Sequence, residues 1–347
     1  MKSKKLPILT TMLTATLICQ LLNAQSPVLI EGTKIWDQGS HNAFTGLVYH
    51  QDKFYCTFRE GTGHVPGETG EDGKIRVIVS ADGAAWESAG YLTVEEFDLR
   101  DPKLSVMPDG RIMLLMGAAD YRGKTVKRRL SMVSFAVPGT PFSQPVPVNM
   151  DSRISSDSDW LWRVNWHEQT GYGVMYQNDG DMSKAFLVQT GNGIDYQLVK
   201  ALELEGKPNE ATVKFMPDNQ MIMIIRREGD NRHGLLGKSI PPYRQWEWQD
   251  LGMRLGGPDF IILPDHRLLL GSRIYGEEGH RTGLLVNRED GTFEQVAEFP
   301  SGGDTSYPGM VLLEDTVYVS YYSSHQDKTA VYFAVVPLNQ LTINNEQ

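Results

Sequence analysis

Short apolar runs recur along the chain, each broken by a turn signal and then resumed. FMPDNQMIMIIRREG (215–229) shows the form: a Pro-Asp turn, five apolar residues from Met221 to Ile225, then Arg226 and Arg227. SVMPDGRIMLLMG (105–117) and IILPDHRLLLGSR (261–273) repeat it closely. LVYHQDKFYCTFRE (47–60), VNWHEQTGYGVMYQ (164–177) and VLLEDTVYVSYYSS (311–324) fit it more loosely. Few stretches carry the period of a helix. Val/Ile/Leu/Tyr-rich runs punctuated by Asp-Gly, Pro-Asp and Gly-Gly predict an all-β chain.

The hairpins are evenly placed. With His50, Pro108, His167, Pro217, Pro264 and Glu314 as equivalent points, the spacings are 58, 59, 50, 47 and 50 residues. Six such units predict a six-bladed β-propeller with four strands per blade. The competing architecture is a β-sandwich whose hairpins are alike by accident. Middle strands of a blade are covered on both faces, which explains apolar runs that do not alternate. The expected blades are roughly 42–97, 98–150, 157–204, 207–252, 256–300 and 304–340. SPVLIEGTKIW (26–36) has no partner beside the first hairpin and is expected to close the ring as a strand of the last blade. Residues 25–347 then form one domain.

Composition sharpens this picture. Lys2, Lys4 and Lys5 precede a mostly apolar stretch, Leu6 to Leu22, and Ala24-Gln25 offers a cleavage point. Residues 1–24 therefore read as a secretory signal, and the protein as secreted or periplasmic. Ile18 stands before Cys19, where a lipoprotein signal calls for a small residue, so no lipid anchor is expected. No later segment suits membrane insertion. Loss of 1–24 takes the formal charge from −10 to −13, because three lysines and no acids leave. A chain this acidic is a poor nucleic-acid binder. Cys56 would be the sole mature cysteine, so stability must come from the core.

A propeller also predicts where chemistry sits. Residues seven before each reference point are Ala43, Asp101, Trp160, Glu210, Gly257 and Tyr307; those nine after are Arg59, Gly117, Tyr176, Arg226, Arg273 and Ser323. Both sets should border one mouth of the channel. Three arginines at a shared offset would form a cup for an anion. A guanidinium meets a carboxylate through two parallel hydrogen bonds, so Arg59, Arg226 and Arg273 are the first candidates for binding a ligand carboxylate. The plain alternative pairs each with a neighbouring acid such as Glu60 or Glu228.

At this point the sequence resembles the sialidase superfamily. SADGAAW (80–86) looks like a shortened Asp box, and TGNGIDY (190–196) and NREDGTF (287–293) like degraded copies. NEATVKFMPDNQMIMIIRR (209–227) resembles the segment in which a glutamate and an arginine flank a turn; SYPG (306–309) resembles the one carrying the catalytic tyrosine. The resemblance implies Tyr307 as nucleophile and Glu210 as its base. HRTGLLVNREDG (280–291) resembles the segment with a further substrate arginine, Arg281, which competes with Arg273 for that role. It also implies a proton donor on the first-blade loop EGTGHVPGETGEDGK (60–74): Asp72, with Glu68 and Glu71 close by. One departure is plain. Sialidases begin their first blade with Arg-Ile-Pro, where this chain has Ala43-Phe44-Thr45, so the arginine triad is incomplete or rebuilt, with Arg59 as a possible replacement.

The resemblance predicts an exo-acting hydrolase that removes a terminal acidic sugar from a glycan; separately, a monomer is expected. A phenol is a poor nucleophile near neutrality unless a base takes its proton. A tyrosine suits an anionic sugar because it approaches a centre beside a carboxylate with less repulsion than Asp or Glu. Asp101, Asp259 and His64 are further substrate-binding candidates, as is Trp160, which is read as sharing a strand face with Trp162 and Trp166 and as able either to stack on a sugar or to fill the core between blades. Arg163 lies opposite them. His41, His64 and Tyr307 keep open a uronate lyase, and the missing motif keeps open a non-catalytic glycan-binding propeller. No metal-ligand motif or nucleotide loop is present, so no cofactor is expected. Asp72 and Asp304 can touch a calcium ion, but nothing specifies one.

Overall fold

The computed structural model describes residues 26–122, 125–180, 182–229 and 231–341. The expected signal segment and Cys19 lie outside them. Among the described residues no helix is long and apolar enough to cross a membrane. The strands form six sheets, each a propeller blade. Their first strands are His41–His50, Asp98–Val106, Asp159–His167, Pro208–Phe215, Asp259–Ile262 and Thr305–Leu313, which pack on one another in a closed cycle around a central channel.

The apolar runs are explained by burial on both faces. In the run Met221–Ile225, Met221, Met223 and Ile225 pack against Val174 and Leu187 of blade 3. Ile222 and Ile224 pack against Leu270 and Leu285 of blade 5. The three Pro-Asp turns share one geometry. Asp109, Asp218 and Asp265 each accept a bond through Oδ1 from the backbone N–H two residues on, at 3.0, 3.0 and 3.1 Å. The next residue of each turn, Gly110, Asn219 or His266, takes a left-handed φ of 82°, 67° or 68°. Two outer turns are alike as well. Gly83 N–H donates to Ser80 Oγ and Ala84 N–H to Asp82 Oδ1; Gly193 N–H donates to Thr190 Oγ1 and Ile194 N–H to Asn192 Oδ1.

The ring closes by two N-terminal strands. Thr33–Trp36 is the fourth strand of blade 6, antiparallel to Lys328–Pro337, whereas Val28–Leu29 runs parallel to the outer strand of blade 5. Asn149–Met150, expected in blade 2, instead edges blade 3.

The first strands do not run straight into the mouth. The ladder slips between Ala43 and Gly46, Arg100 and Lys103, Leu161 and Val164, Pro208 and Ala211, and Ser306 and Gly309. These are β-bulges, which bend a strand and re-aim its side chains. Phe44, Asp101 and Tyr307 sit at the bulges with φ of 66°, 52° and 55°, and Gly257, just before the regularly paired first strand of blade 5, has φ of 60°. Three of the four are not glycine, so the backbone carries strain at the channel mouth.

Candidate active site

Tyr307 is the centre of the mouth. Its hydroxyl donates to Glu210 Oε1 at 2.6 Å. Its ring lies 5.0 Å from Phe44, 5.6 Å from Trp162 and 6.2 Å from Tyr322, centroid to centroid. Gly257 leaves room for it, since a Cβ there would stand 2.7 Å from Tyr307 Cγ. The other Glu210 oxygen is held by Arg226 Nη1 at 2.7 Å and by Gly257 N–H at 2.8 Å. Burial pushes the Glu210 carboxyl up, but Arg226 and these hydrogen bonds outweigh it and hold the group below the usual glutamate range. Burial, then the Glu210 charge, drives the Tyr307 phenol well above its ordinary value. The shared proton therefore rests on the tyrosine.

Three arginines surround this pair, but not the expected three. Arg100, Arg226 and Arg273 each interact electrostatically with the Tyr307 phenol. Arg100 lies 5.3 Å from the centroid of the Phe44 ring and donates to Asp101 Oδ2 at 3.3 Å. Arg226 also binds Glu228, through Nε at 2.8 Å and through Nη2. Arg273 donates to the Thr305 carbonyl at 2.8 Å and to the Tyr322 hydroxyl at 3.1 Å; of the three it alone has no carboxylate partner among the described residues. Arg227 turns outward to Asp250 at 2.9 Å.

Arg59 corrects the sequence reading. It is fully buried and ion-paired with Asp98 of blade 2, and its Nη1 bonds the Gly63 carbonyl. The glycines of the 60–74 loop serve this burial, because a Cβ at Gly61 or Gly73 would overlap the guanidinium. Blade 6 shows why Arg273 escapes the same fate. Arg100 pairs with Gly117 in blade 2 and Ser306 with Tyr322 in blade 6, so Asp98 and Asp304 stand at equivalent places. In blade 6 the Tyr322 hydroxyl stands between arginine and aspartate, donating to Asp304 Oδ1 at 3.0 Å.

Other candidates fall away from the mouth. Asp259 is buried lower in the channel, paired with Arg163 at 3.0 Å, and lines a cavity of about 350 Å³ with Arg163, Asn165 and Lys214. Arg281 is one strand further out, 3.5 Å from Glu298. Trp160 is 5% exposed and fills the space over Gly117, which leaves no open face for a sugar. The bulge after Leu161 also breaks the expected tryptophan row: Trp160 and Trp162 pack together, and Trp166 joins a different cluster.

Asp101 does lie at the mouth, buried, with Oδ1 lacking a partner. Asp72 is exposed on its loop, and burial together with the Asp98 charge raises its carboxyl above the usual range. Glu71 is taken by Lys74 at 3.0 Å. His64 and His41 both meet Asp304 at the rim. Beneath the tyrosine, Lys103 Nζ lies 4.7 Å from the Trp162 ring and 5.5 Å from the Tyr307 ring. Burial and the Arg163 charge push this ammonium down to about 7. Arg100, Tyr322, Phe44 and Lys103 were not singled out as site residues in the sequence. The adjacency of Arg100 to Asp101 was the available signal for the first.

No protein-family model matches the sequence, and a comparison with curated proteins gives no match. Solved structures are similar in fold. A protein of unknown function from Dyadobacter fermentans aligns with a TM-score of 0.72 at 18% identity, covering 89% of this chain and 97% of that one. An alpha-L-arabinofuranosidase from Fusarium graminearum, in complex with an iminosugar inhibitor, gives 0.66 at 12%, covering 89% and 98%. The sialidase of Trypanosoma rangeli gives 0.65 at 11%, covering 90% of this chain and 58% of its own. The chain thus spans little more than half the length of that sialidase. At these identities the likeness shows a sialidase-like six-bladed propeller fold.

Proposed function

We propose that the protein is a secreted, exo-acting glycoside hydrolase that removes a terminal carboxylate-bearing sugar from a glycan. The carrying observation is the 2.6 Å bond from the Tyr307 hydroxyl to Glu210, a carboxylate otherwise satisfied by Arg226 and Gly257. Tyr307 Oη attacks the anomeric carbon while its proton passes to Glu210. The bond to the leaving oxygen breaks, and Asp72, whose carboxyl burial and the Asp98 charge raise above the usual range, supplies that oxygen with a proton. Water then releases the sugar, giving one proton to Asp72, while Glu210 returns its own to Tyr307. Arg273, free of acid partners, receives the sugar carboxylate, with Arg226 beside it. The turns at 80–86 and 190–196, the N-terminal basic and apolar segment, and a fold like that of two glycosidases support this reading.

One observation favours a second reading. Arg100 and Arg226 already face carboxylates, so the mouth is closer to charge balance than an arginine count implies. A neutral terminal sugar fits such a mouth. A panel of aryl glycosides of acidic and neutral sugars separates the two. The proposal expects release of an acidic sugar, lost by ~10²-fold or more in both Tyr307→Phe and Glu210→Gln. Release of neutral sugars alone selects the second reading. An unsaturated, ultraviolet-absorbing product from a uronate polymer would mark a lyase. Saturable glycan binding with no product, unchanged in Tyr307→Phe, would leave only a binding module.

A further inference from the structure

A second cluster at the rim of the mouth lies outside the catalytic proposal. Three groups from separate elements meet there: His41 opens the first strand of blade 1, His64 lies on the 60–74 loop, and Asp304 precedes the first strand of blade 6. Both histidines aim the same ring nitrogen at one carboxylate. His41 Nε2 lies 3.2 Å from Asp304 Oδ2, and His64 Nε2 lies 2.9 Å from the same oxygen. The three ligand atoms all fall within 4.8 Å of one another. A zinc ion binds imidazole and carboxylate at about 2.0–2.2 Å, which requires ligand atoms about 3–4 Å apart. The separations from Asp304, 3.2 and 2.9 Å, match that, and His64 is on an exposed loop that can close the third edge.

The surroundings fit an ion as well. Tyr322 donates to the second oxygen of Asp304 and is itself bonded by Arg273, so the carboxylate is oriented from behind. Phe44 packs 5.4 Å from the His64 ring and 5.0 Å from the Tyr307 ring. His64 is about half exposed, which leaves an entry path and an open coordination position for water. Two imidazoles and one carboxylate suit a borderline ion such as zinc, whereas calcium prefers an all-oxygen shell.

We propose that His41, His64 and Asp304 form a site for one divalent transition-metal ion, zinc by donor chemistry, which pins the 60–74 loop to blade 6 across the seam where the ring closes. The loop carries Asp72 and wraps Arg59, so its position matters to the mouth. The site stands whether or not the mouth hydrolyses a glycoside, and its test reads binding, not turnover.

The experiment uses untagged, chelator-stripped protein titrated with zinc chloride by calorimetry, with hydrogen exchange of the 60–74 loop followed with and without metal. The expected result is one equivalent bound with a dissociation constant of ~1 µM or tighter. His64→Ala and Asp304→Asn should each weaken it ~100-fold, and Tyr322→Phe, which removes only the orienting hydroxyl, ~10-fold. Loop exchange should slow on zinc addition in the wild type and not in His64→Ala. His64 is exposed, so that variant is expected to fold. Absence of stoichiometric zinc, or equal binding by the wild type and both ligand variants, overturns the site. Zinc binding that leaves loop exchange unchanged overturns the pinning role.

Discussion

Arg59 and Arg273 leave the second strands of their blades at the same offset and reach toward the next blade, yet they meet different fates. Arg59 closes on Asp98 in full burial; Arg273 stops at the Tyr322 hydroxyl and has no carboxylate partner among the described residues. At the equivalent ladder position blade 2 has Gly117, where blade 6 has the Tyr322 whose hydroxyl stands between Arg273 and Asp304. The buried pair gives a sharp expectation. Removing one partner of a buried ion pair leaves the other uncompensated and costs roughly 3–5 kcal/mol. Arg59→Met should lower unfolding stability by about that amount in urea titration, and adding Asp98→Leu should recover much of the loss. A loss in substrate affinity with no loss of stability would instead return Arg59 to the ligand-binding role that its offset suggests.

At the scale of the strand, the bulge is the device that builds the mouth. It bends the first strands of blades 1, 2, 3, 4 and 6 where they reach the mouth, and left-handed backbone falls at Phe44, Asp101 and Tyr307, as it does at Gly257 before the first strand of blade 5. Gly257 meets two demands, a φ of 60° and a ring 2.7 Å from where its Cβ would be. Gly257→Ala should lose about 1–2 kcal/mol from the left-handed backbone. It should also cut turnover on the order of 10²-fold by displacing Tyr307. Gly110→Ala is the matched control: φ is 82° and nothing lies within 4 Å, so stability should fall and turnover should not. Equal effects on turnover would show that Gly257 does not position the tyrosine.

The hairpins and their spacing were legible because Pro-Asp turns and two-sided burial act locally. The bulges were not, since no residue type announces a ladder slip. The shared offset therefore grouped Arg59 with Arg226, although the bulge of blade 4 lies opposite Arg226 and Arg59 pairs squarely with Ala43. Trp160 lies over Gly117 of blade 2, a contact between blades that its own strand pattern does not announce.

At the scale of the whole molecule, the site exists only because the ring closes. Tyr307 comes from blade 6, Glu210 and Arg226 from blade 4, Arg273 from blade 5, Arg100 from blade 2 and Phe44 from blade 1. No pair of neighbouring blades contains the machinery, and residues 33–36 complete the sheet that carries the tyrosine. A spacing of about fifty residues made the ring readable in the sequence. The meeting of His41, His64 and Asp304 was not readable, because it joins the two ends of the domain across the closing seam. That same closure makes the central claim testable as a covalent event at one atom. The most direct measurement is mass spectrometry of the protein quenched during reaction with a fluorinated, slowly released analogue of whichever glycoside it turns over. One sugar mass on the peptide bearing Tyr307, absent from Tyr307→Phe, is the predicted result. Turnover of the parent glycoside with no adduct, or an adduct on any other residue, would contradict it.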